Sequence, residues 1–227
     1  VRSSNNVDEA VKLMRSEEGI KADKKSSRIA AEGVVYYFND DNIAMLIEIN
    51  SETDFVAKSD DFLDYVKQTC ELFSMAKFPD YTCFIESADK DMKNELEELR
   101  KNYITKLGEN IQIRRYQLYD KQSNSILGYT HNNKIGALVI LKKSDEQLSK
   151  DICMQIVASN PLAIDENSID PEVLANERDV YKAELDKIDK KDDIKRNIMD
   201  GKVKKCISEN TLMNKPLIKD GSLTLKK

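Results

Sequence analysis

Tryptophan is absent from this 227-residue chain, and the chain contains only 7 glycines, 4 prolines, 4 cysteines and 1 histidine. So few glycines and prolines favour regular secondary structure over most of the length. The cysteines are far apart and form no Cys-x-x-Cys pair, so no zinc site is expected, and the thiols are typical of a reducing compartment. No apolar run reaches the about 18 residues of a membrane helix, and no signal peptide is recognisable, so neither a membrane partner nor secretion is expected.

Motifs for catalysis and nucleotide binding are missing as well. His131 lies in a predicted turn without a Gly-x-Ser-x-Gly elsewhere, which argues against a hydrolase. Without a phosphate-binding Gly-x-x-x-x-Gly-Lys loop, the chain should not bind nucleotide itself. A net charge of −5 disfavours a general nucleic-acid surface. We therefore expect no cofactor and no direct nucleic-acid partner; RNA binding through the basic stretch 21–28 is a weaker alternative.

Hydrophobic patterns predict an α+β fold. Two predicted β-hairpins have Asn-rich turns, one spanning about 33–50 and one about 125–143. Each hairpin is followed by an acidic helix start, and a further strand is predicted at about 110–119. This repetition predicts two related subdomains of antiparallel strands with packed helices. From Pro171 a heptad pattern and then a second apolar stripe predict a projecting antiparallel helical hairpin, a coiled coil, at about 171–207.

An acid and an aromatic stand together in the turn at residues 50–56, Asn-Ser-Glu-Thr-Asp-Phe-Val. Three interpretations are open. Asp54 caps a helix while Phe55 fills the core; Glu48, Glu52 and Asp54 bind magnesium or calcium; or the Asp54–Phe55 pair is presented to a partner. Neither the two-residue nor the 3.6-residue period decides where a side chain at a turn points.

Residues 50–62, NSETDFVAKSDDF, strongly resemble the signature of elongation factor Ts, a family of nucleotide exchange factors in translation. Further stretches resemble the family in the same order along the chain: KADKKSSRIAAEGVV, KLGENIQIRR, LGYTHNNKIGALVIL, ICMQIVASNP and IMDGKVKKCISENTLMNKPLIKD. The resemblance therefore covers nearly the whole sequence, and its combined motifs are specific.

The resemblance implies a function and a set of contacts. The partner would be elongation factor Tu bound to GDP, and the chain would promote GDP release by disturbing the partner's magnesium site. The residues that match the family's contact positions are Thr53, Asp54, Phe55, Val56, Leu107, Gly108, His131, Ile218 and Lys219. Lys219 departs from the family, which tends to have an apolar residue there. The alternative is an adaptor that binds a partner through the helical hairpin without promoting exchange.

The resemblance also implies a domain organisation. Residues 1–18 would be the remnant of an N-terminal helical module, 19–32 a linker and helix, 33–120 the core N-subdomain, and 121–227 the core C-subdomain with the hairpin inserted. The family continues beyond Lys227 with another strand, so an open sheet edge and a homo-oligomer are expected of a chain ending there. A long helical hairpin favours a bacterial, cytoplasmic protein.

Overall fold

The computed structural model describes Ala22, residues 25–122 and residues 125–226. The predicted remnant at 1–18 lies outside this part, as does most of the stretch before Lys25. The chain divides into two compact units, the first ending at Cys153 and the second beginning at Met154. Both sheets belong to the first unit. The α+β class predicted from the sequence is confirmed, whereas the predicted subdomain boundary after residue 120 stays a prediction.

The first sheet has three antiparallel strands, β1 (Glu32–Asn39), β2 (Ile43–Ser51) and β3 (Ile111–Asp120), in the order β1-β2-β3. Asp40 makes the β1–β2 turn, since its carboxylate accepts from the N–H groups of Asn42 (2.7 Å) and Ile43 (2.8 Å). The central strand β2 is almost wholly buried, with these apolar side chains at most 1% exposed: Ile43, Ala44, Met45, Ile47 and Ile49.

Four helices follow β2 and pack with the sheet: α1 (Asp54–Ala57), α2 (Asp60–Ala76), α3 (Tyr81–Ser87) and α4 (Lys90–Leu107). Ser59 caps α2 by accepting from the Phe62 N–H at 3.3 Å. The apolar face of α2 is buried: Phe62, Val66, Cys70 and Phe73. Gly108 ends α4 in the left-handed region with φ 81°. Helix α3 was not predicted.

A second hairpin, β4 (Ser125–His131) with β5 (Ile135–Leu141), forms its own two-stranded sheet. Asn132 and Asn133 make its turn with φ of 52° and 53°, which asparagine tolerates better than most residues. The hairpin contacts the first sheet. The Asn133 carbonyl accepts from the Val35 N–H at 2.7 Å, and Gly128 lies against the ring of Tyr37.

Helix α5 (Glu146–Ser159) follows the second hairpin, and a 3-10 turn (Glu166–Ser168) precedes two long helices. These are α6 (Pro171–Asp186) and α7 (Asp192–Asn210), which contact each other. A small cluster forms near the open ends of the pair: Ile169, Leu174, Tyr181, Met199, Val203 and Ile207. The predicted pair of antiparallel helices is present, and the supercoil and the projection stay predictions.

Candidate functional site

The turn after β2 is folded by Thr53. Its extended backbone and its hydroxyl, which accepts from the Val56 N–H at 3.3 Å, cap the four-residue helix α1. We call Thr53–Val56 the wedge turn. Val56 packs against the core, and the adjoining Ala57 is buried. Phe55, in contrast, is 83% exposed. The interpretation that Phe55 fills the core is therefore wrong.

Asp54 stands beside Phe55 and also faces solvent. Its carboxylate accepts from the Lys58 ammonium at 2.7 Å, one helical turn later. The hydrogen bond from Lys58, together with the charge of that side chain, lowers the pKa of Asp54, so the carboxylate is ionised at neutral pH. Because the Lys58 side chain is largely exposed and that of Asp54 about half exposed, the pair adds little stability and can open without disturbing the fold.

A second turn, at the end of α4, is tied to the wedge turn by two carboxylates. Glu109 accepts from the Thr53 N–H at 2.9 Å and from the Thr53 hydroxyl at 2.6 Å. Glu52 accepts from the Asn110 N–H at 2.7 Å and lies 3.6 Å from the Arg28 guanidinium. The two turns thus hold each other through bonds that run in both directions, and Glu109 directly follows the predicted contact residue Gly108.

His131 ends β4 and is exposed. Its two ring nitrogens lie 3.3 Å from the Tyr129 hydroxyl and 3.3 Å from the Asn132 amide nitrogen. In the same turn, the Lys134 ammonium pairs with Glu32 at 2.5 Å, and its charge also helps to lower the pKa of Asp54. The structure therefore brings the β4–β5 turn within electrostatic reach of the wedge turn.

Ile218 and Lys219 belong to the second unit and are exposed. Their segment has no regular structure and is held by Gln155, which is buried on α5. The Gln155 amide donates to the Pro216 carbonyl at 3.0 Å and accepts from the Ile218 N–H at 2.8 Å. Both ends of this amide are therefore satisfied, and Ile218 is fixed with its side chain facing outward.

The three acids considered for a metal already have partners. Glu48 pairs with Arg114 at 3.4 Å and with Arg115 at 2.8 Å, while Glu52 and Asp54 make the bonds given above. No group of three or more His, Cys, Asp or Glu side chains in the described part of the chain is arranged to hold a metal ion. Among the same residues, no helix is long and apolar enough to cross a membrane.

Glu109 is the residue that sequence reasoning missed. In the sequence it is one more polar residue after a glycine that ends a helix. Its partner Thr53 is 56 positions away, so local patterns carry no trace of the contact. An acidic residue next to a predicted contact residue, Gly108, was the one available signal.

Comparison with known proteins places this site in a family. The family model described as Elongation factor TS matches residues 52–227. The chain is similar to Elongation factor Ts of Alkalilimnicola ehrlichii, at 38% identity over 99% of this chain and 77% of the relative. It is also similar to Elongation factor Ts of Thioalkalivibrio sulfidiphilus, at 36% over 99% and 77%, and to that of Francisella tularensis subsp. novicida, at 32% over 100% and 78%. The chain therefore belongs to the elongation factor Ts family of translation elongation factors.

Proposed function

We propose that the chain is a guanine nucleotide exchange factor that promotes GDP release from elongation factor Tu by disturbing the partner's magnesium site. The wedge turn would press against the partner's nucleotide domain. The observation that carries this proposal is the 83% exposure of Phe55 on a turn that Thr53 and Val56 anchor at its two ends. An aromatic that the fold does not use is available to a partner.

The exposed ring is a sizeable reserve of binding energy. Fully burying a phenylalanine side chain is worth about 1.5–3 kcal/mol, so covering the exposed part of Phe55 is worth roughly 1–3 kcal/mol. Because the ring contributes little to the fold, nearly all of that energy remains for association. It can drive an unfavourable change in the partner, which is what displacement of a bound nucleotide requires.

Asp54 supplies the charge. Magnesium binds oxygen ligands in a near-octahedral arrangement and is often the largest local charge in its site, so displacing a ligand weakens the site, and a carboxylate brought nearby competes with the phosphate oxygens for the cation. The ion pair with Lys58 is exposed and can open on contact, so Asp54 can exchange one cationic partner for another. GDP then loses the cation that its phosphates need.

The coupling is reciprocal. If the bound factor weakens GDP binding by some factor, bound GDP weakens binding of the factor equally. No covalent bond is made or broken, so the proposed activity is not enzyme chemistry and uses no cofactor. We propose Leu107, Gly108, His131, Ile218 and Lys219 as further contacts with the same GDP-bound partner, in the bacterial cytoplasm.

Stopped-flow release of a fluorescent GDP from elongation factor Tu tests the proposal. The unmodified chain should accelerate release, and Phe55→Ala and Asp54→Asn should each lose at least about 90% of the acceleration, the equivalent of about 1.4 kcal/mol. Met75→Ala is the matched control, because Met75 is 74% exposed on α2, away from the wedge turn in sequence. Full acceleration by Phe55→Ala would contradict the proposal.

The adaptor alternative makes a different prediction. An adaptor would bind its partner through α6 and α7 and leave GDP release unchanged. Deleting residues 182–198 and joining the ends with a short Gly-Ser linker spares the cluster around Val203 and Ile207. If this deletion abolishes partner binding and the unmodified chain never accelerates release, the adaptor is the better description.

A further inference from the structure

We propose that Glu109 is a positioning residue that sets the direction in which Phe55 and Asp54 are presented. Glu109 would act through Thr53 without touching the partner itself. This inference rests on the proposed function, since it assigns the device that makes the wedge turn rigid. It adds Glu109, with Glu52 in a supporting position, to the residues on which nucleotide exchange depends.

The first step of the argument is the completeness of the contact. Thr53 has two donors, and both of them go to the two oxygens of one carboxylate, at 2.9 Å and 2.6 Å. Hydrogen bonds to a charged acceptor are about twice as strong as neutral ones, and a bidentate pair fixes orientation as well as distance. The contact with Glu109 therefore fixes the directions of both the N–H and the hydroxyl group of Thr53.

The second step follows from the position of the hydroxyl hydrogen. A hydroxyl has one hydrogen and two lone pairs. Because the Thr53 hydrogen points to Glu109, a lone pair faces the Val56 N–H, which is the bond that caps α1. Without Glu109 the hydroxyl is free to rotate and to donate elsewhere. Glu109 thus keeps the cap in its accepting orientation.

The third step is that α1 cannot hold itself together. A helix of four residues is far below the length at which helices persist in water, so its geometry depends on external anchors. Ala57 anchors its end inside the core, and Thr53 anchors its start. Phe55 lies between these two points and makes little contact of its own, so the direction of its ring is set by them.

The fourth step joins two contact sites. Glu109 follows Leu107 and Gly108, and the return bond from the Asn110 N–H to Glu52 closes the connection in the opposite direction. The wedge turn and the end of α4 consequently move as one body. A partner that contacts both turns finds them in a fixed relative orientation, so less conformational entropy is lost on binding.

The test measures nucleotide exchange at saturating factor, separately from the concentration that gives half of that rate. In Glu109→Gln the carboxamide offers one acceptor oxygen, and its NH₂ group faces a donor of Thr53. We expect the saturating rate to fall about tenfold, the half-saturating concentration to change less, and the melting temperature to fall by no more than about 4 °C. Glu98→Gln, which changes an exposed carboxylate on the preceding helix α4, is the matched control and should match the unmodified chain.

Two companion variants separate positioning from general stability. Thr53→Ser keeps both donors and should exchange faster than Thr53→Val, which lacks the hydroxyl and should reproduce the loss seen in Glu109→Gln. The double variant should be no slower than either single variant, because both changes remove the same contact. In nuclear magnetic resonance spectra, the Thr53 amide proton should move upfield when Glu109 is replaced.

The variants distinguish a failure of the positioning role of Glu109 from a failure of the proposed function. If Phe55→Ala is slow but Glu109→Gln exchanges at the full rate, the positioning role is refuted and the proposed function stands. If Glu109→Gln does not fold, a full rate in Thr53→Val refutes the positioning role instead. If the unmodified chain never accelerates GDP release, the proposed function fails, and the Thr53 resonance then decides whether Glu109 holds the turn.

Discussion

Replacing Phe55 by alanine should leave the free energy of unfolding nearly unchanged. The residue is 83% exposed, so only about a sixth of its surface is covered. For a side chain of about 200 Å², the covered part is about 35 Å², which corresponds to at most about 1 kcal/mol. Phe55 occupies the first turn of a helix capped by Thr53, where alanine is equally acceptable.

Phe62 gives the comparison. It lies seven positions further along, also in the first turn of a capped helix, and it is fully buried. Phe62→Ala removes a ring from the core and leaves a cavity, so it should destabilise the protein by about 3–5 kcal/mol. The two variants make the same chemical change at matched positions and differ only in burial.

Guanidinium unfolding followed by far-ultraviolet circular dichroism measures both, since the chain has no tryptophan to report by fluorescence. The Phe55→Ala midpoint should coincide with that of the unmodified chain, and the Phe62→Ala midpoint should be clearly lower with a similar slope. A loss of about 3 kcal/mol or more in Phe55→Ala would mean that the ring is a core residue, and the reasoning about the wedge turn would be refuted.

Three further predictions concern glycine and cysteine. Gly128→Ala should lower the free energy of unfolding by about 1–3 kcal/mol in the same assay, because the new Cβ would lie 2.3 Å from Cδ2 of Tyr37. An unchanged unfolding midpoint would show that the Tyr37 ring can move aside at no cost. Gly201→Ala, inside α7 where a Cβ meets nothing within 4 Å, should raise stability by up to about 1 kcal/mol, and a decrease would contradict its open surroundings. Burial raises the pKa of the Cys70 and Cys153 thiols, the latter to about 11, so both stay protonated at mildly alkaline pH. Both thiols should therefore react with a thiol reagent only after unfolding. Rapid labelling of the folded protein, detected by mass spectrometry, would contradict this.

The regular elements were accessible from the sequence because their signals are local. The strands are short apolar or alternating runs, the longer helices follow a period of 3.6, and caps such as Ser59 and Gly108 lie at the helix ends. The short helix α3 was missed because seven residues after Asp80 contain too few turns to display a period. Where a pattern spans several turns of structure, the residues alone were sufficient.

The candidate site could not be predicted from local sequence patterns in the same way. Phe55 lies one residue beyond the start of a four-residue helix, so no period constrains its direction, and the sequence pattern could not decide between a core and a presented ring. The Thr53–Glu109 contact depends on how distant segments meet in space. The family resemblance named the proposed contact residues, but it did not indicate Glu109, the carboxylate that we propose orients the wedge turn.

The order of strands in the first sheet has a consequence for biogenesis. The middle strand pairs with β1 through a tight local turn, whereas its other edge pairs with β3, so residue 51 meets residue 111 across a long intervening segment. Closing so long a loop is slow compared with making a hairpin. Glu109 is two residues before that pairing point, and so a nascent or partly unfolded chain has no oriented wedge turn. The proposed exchange activity would then require this long-range pairing, and a chain that has not yet made it would lack the oriented turn that the proposal assigns to the partner.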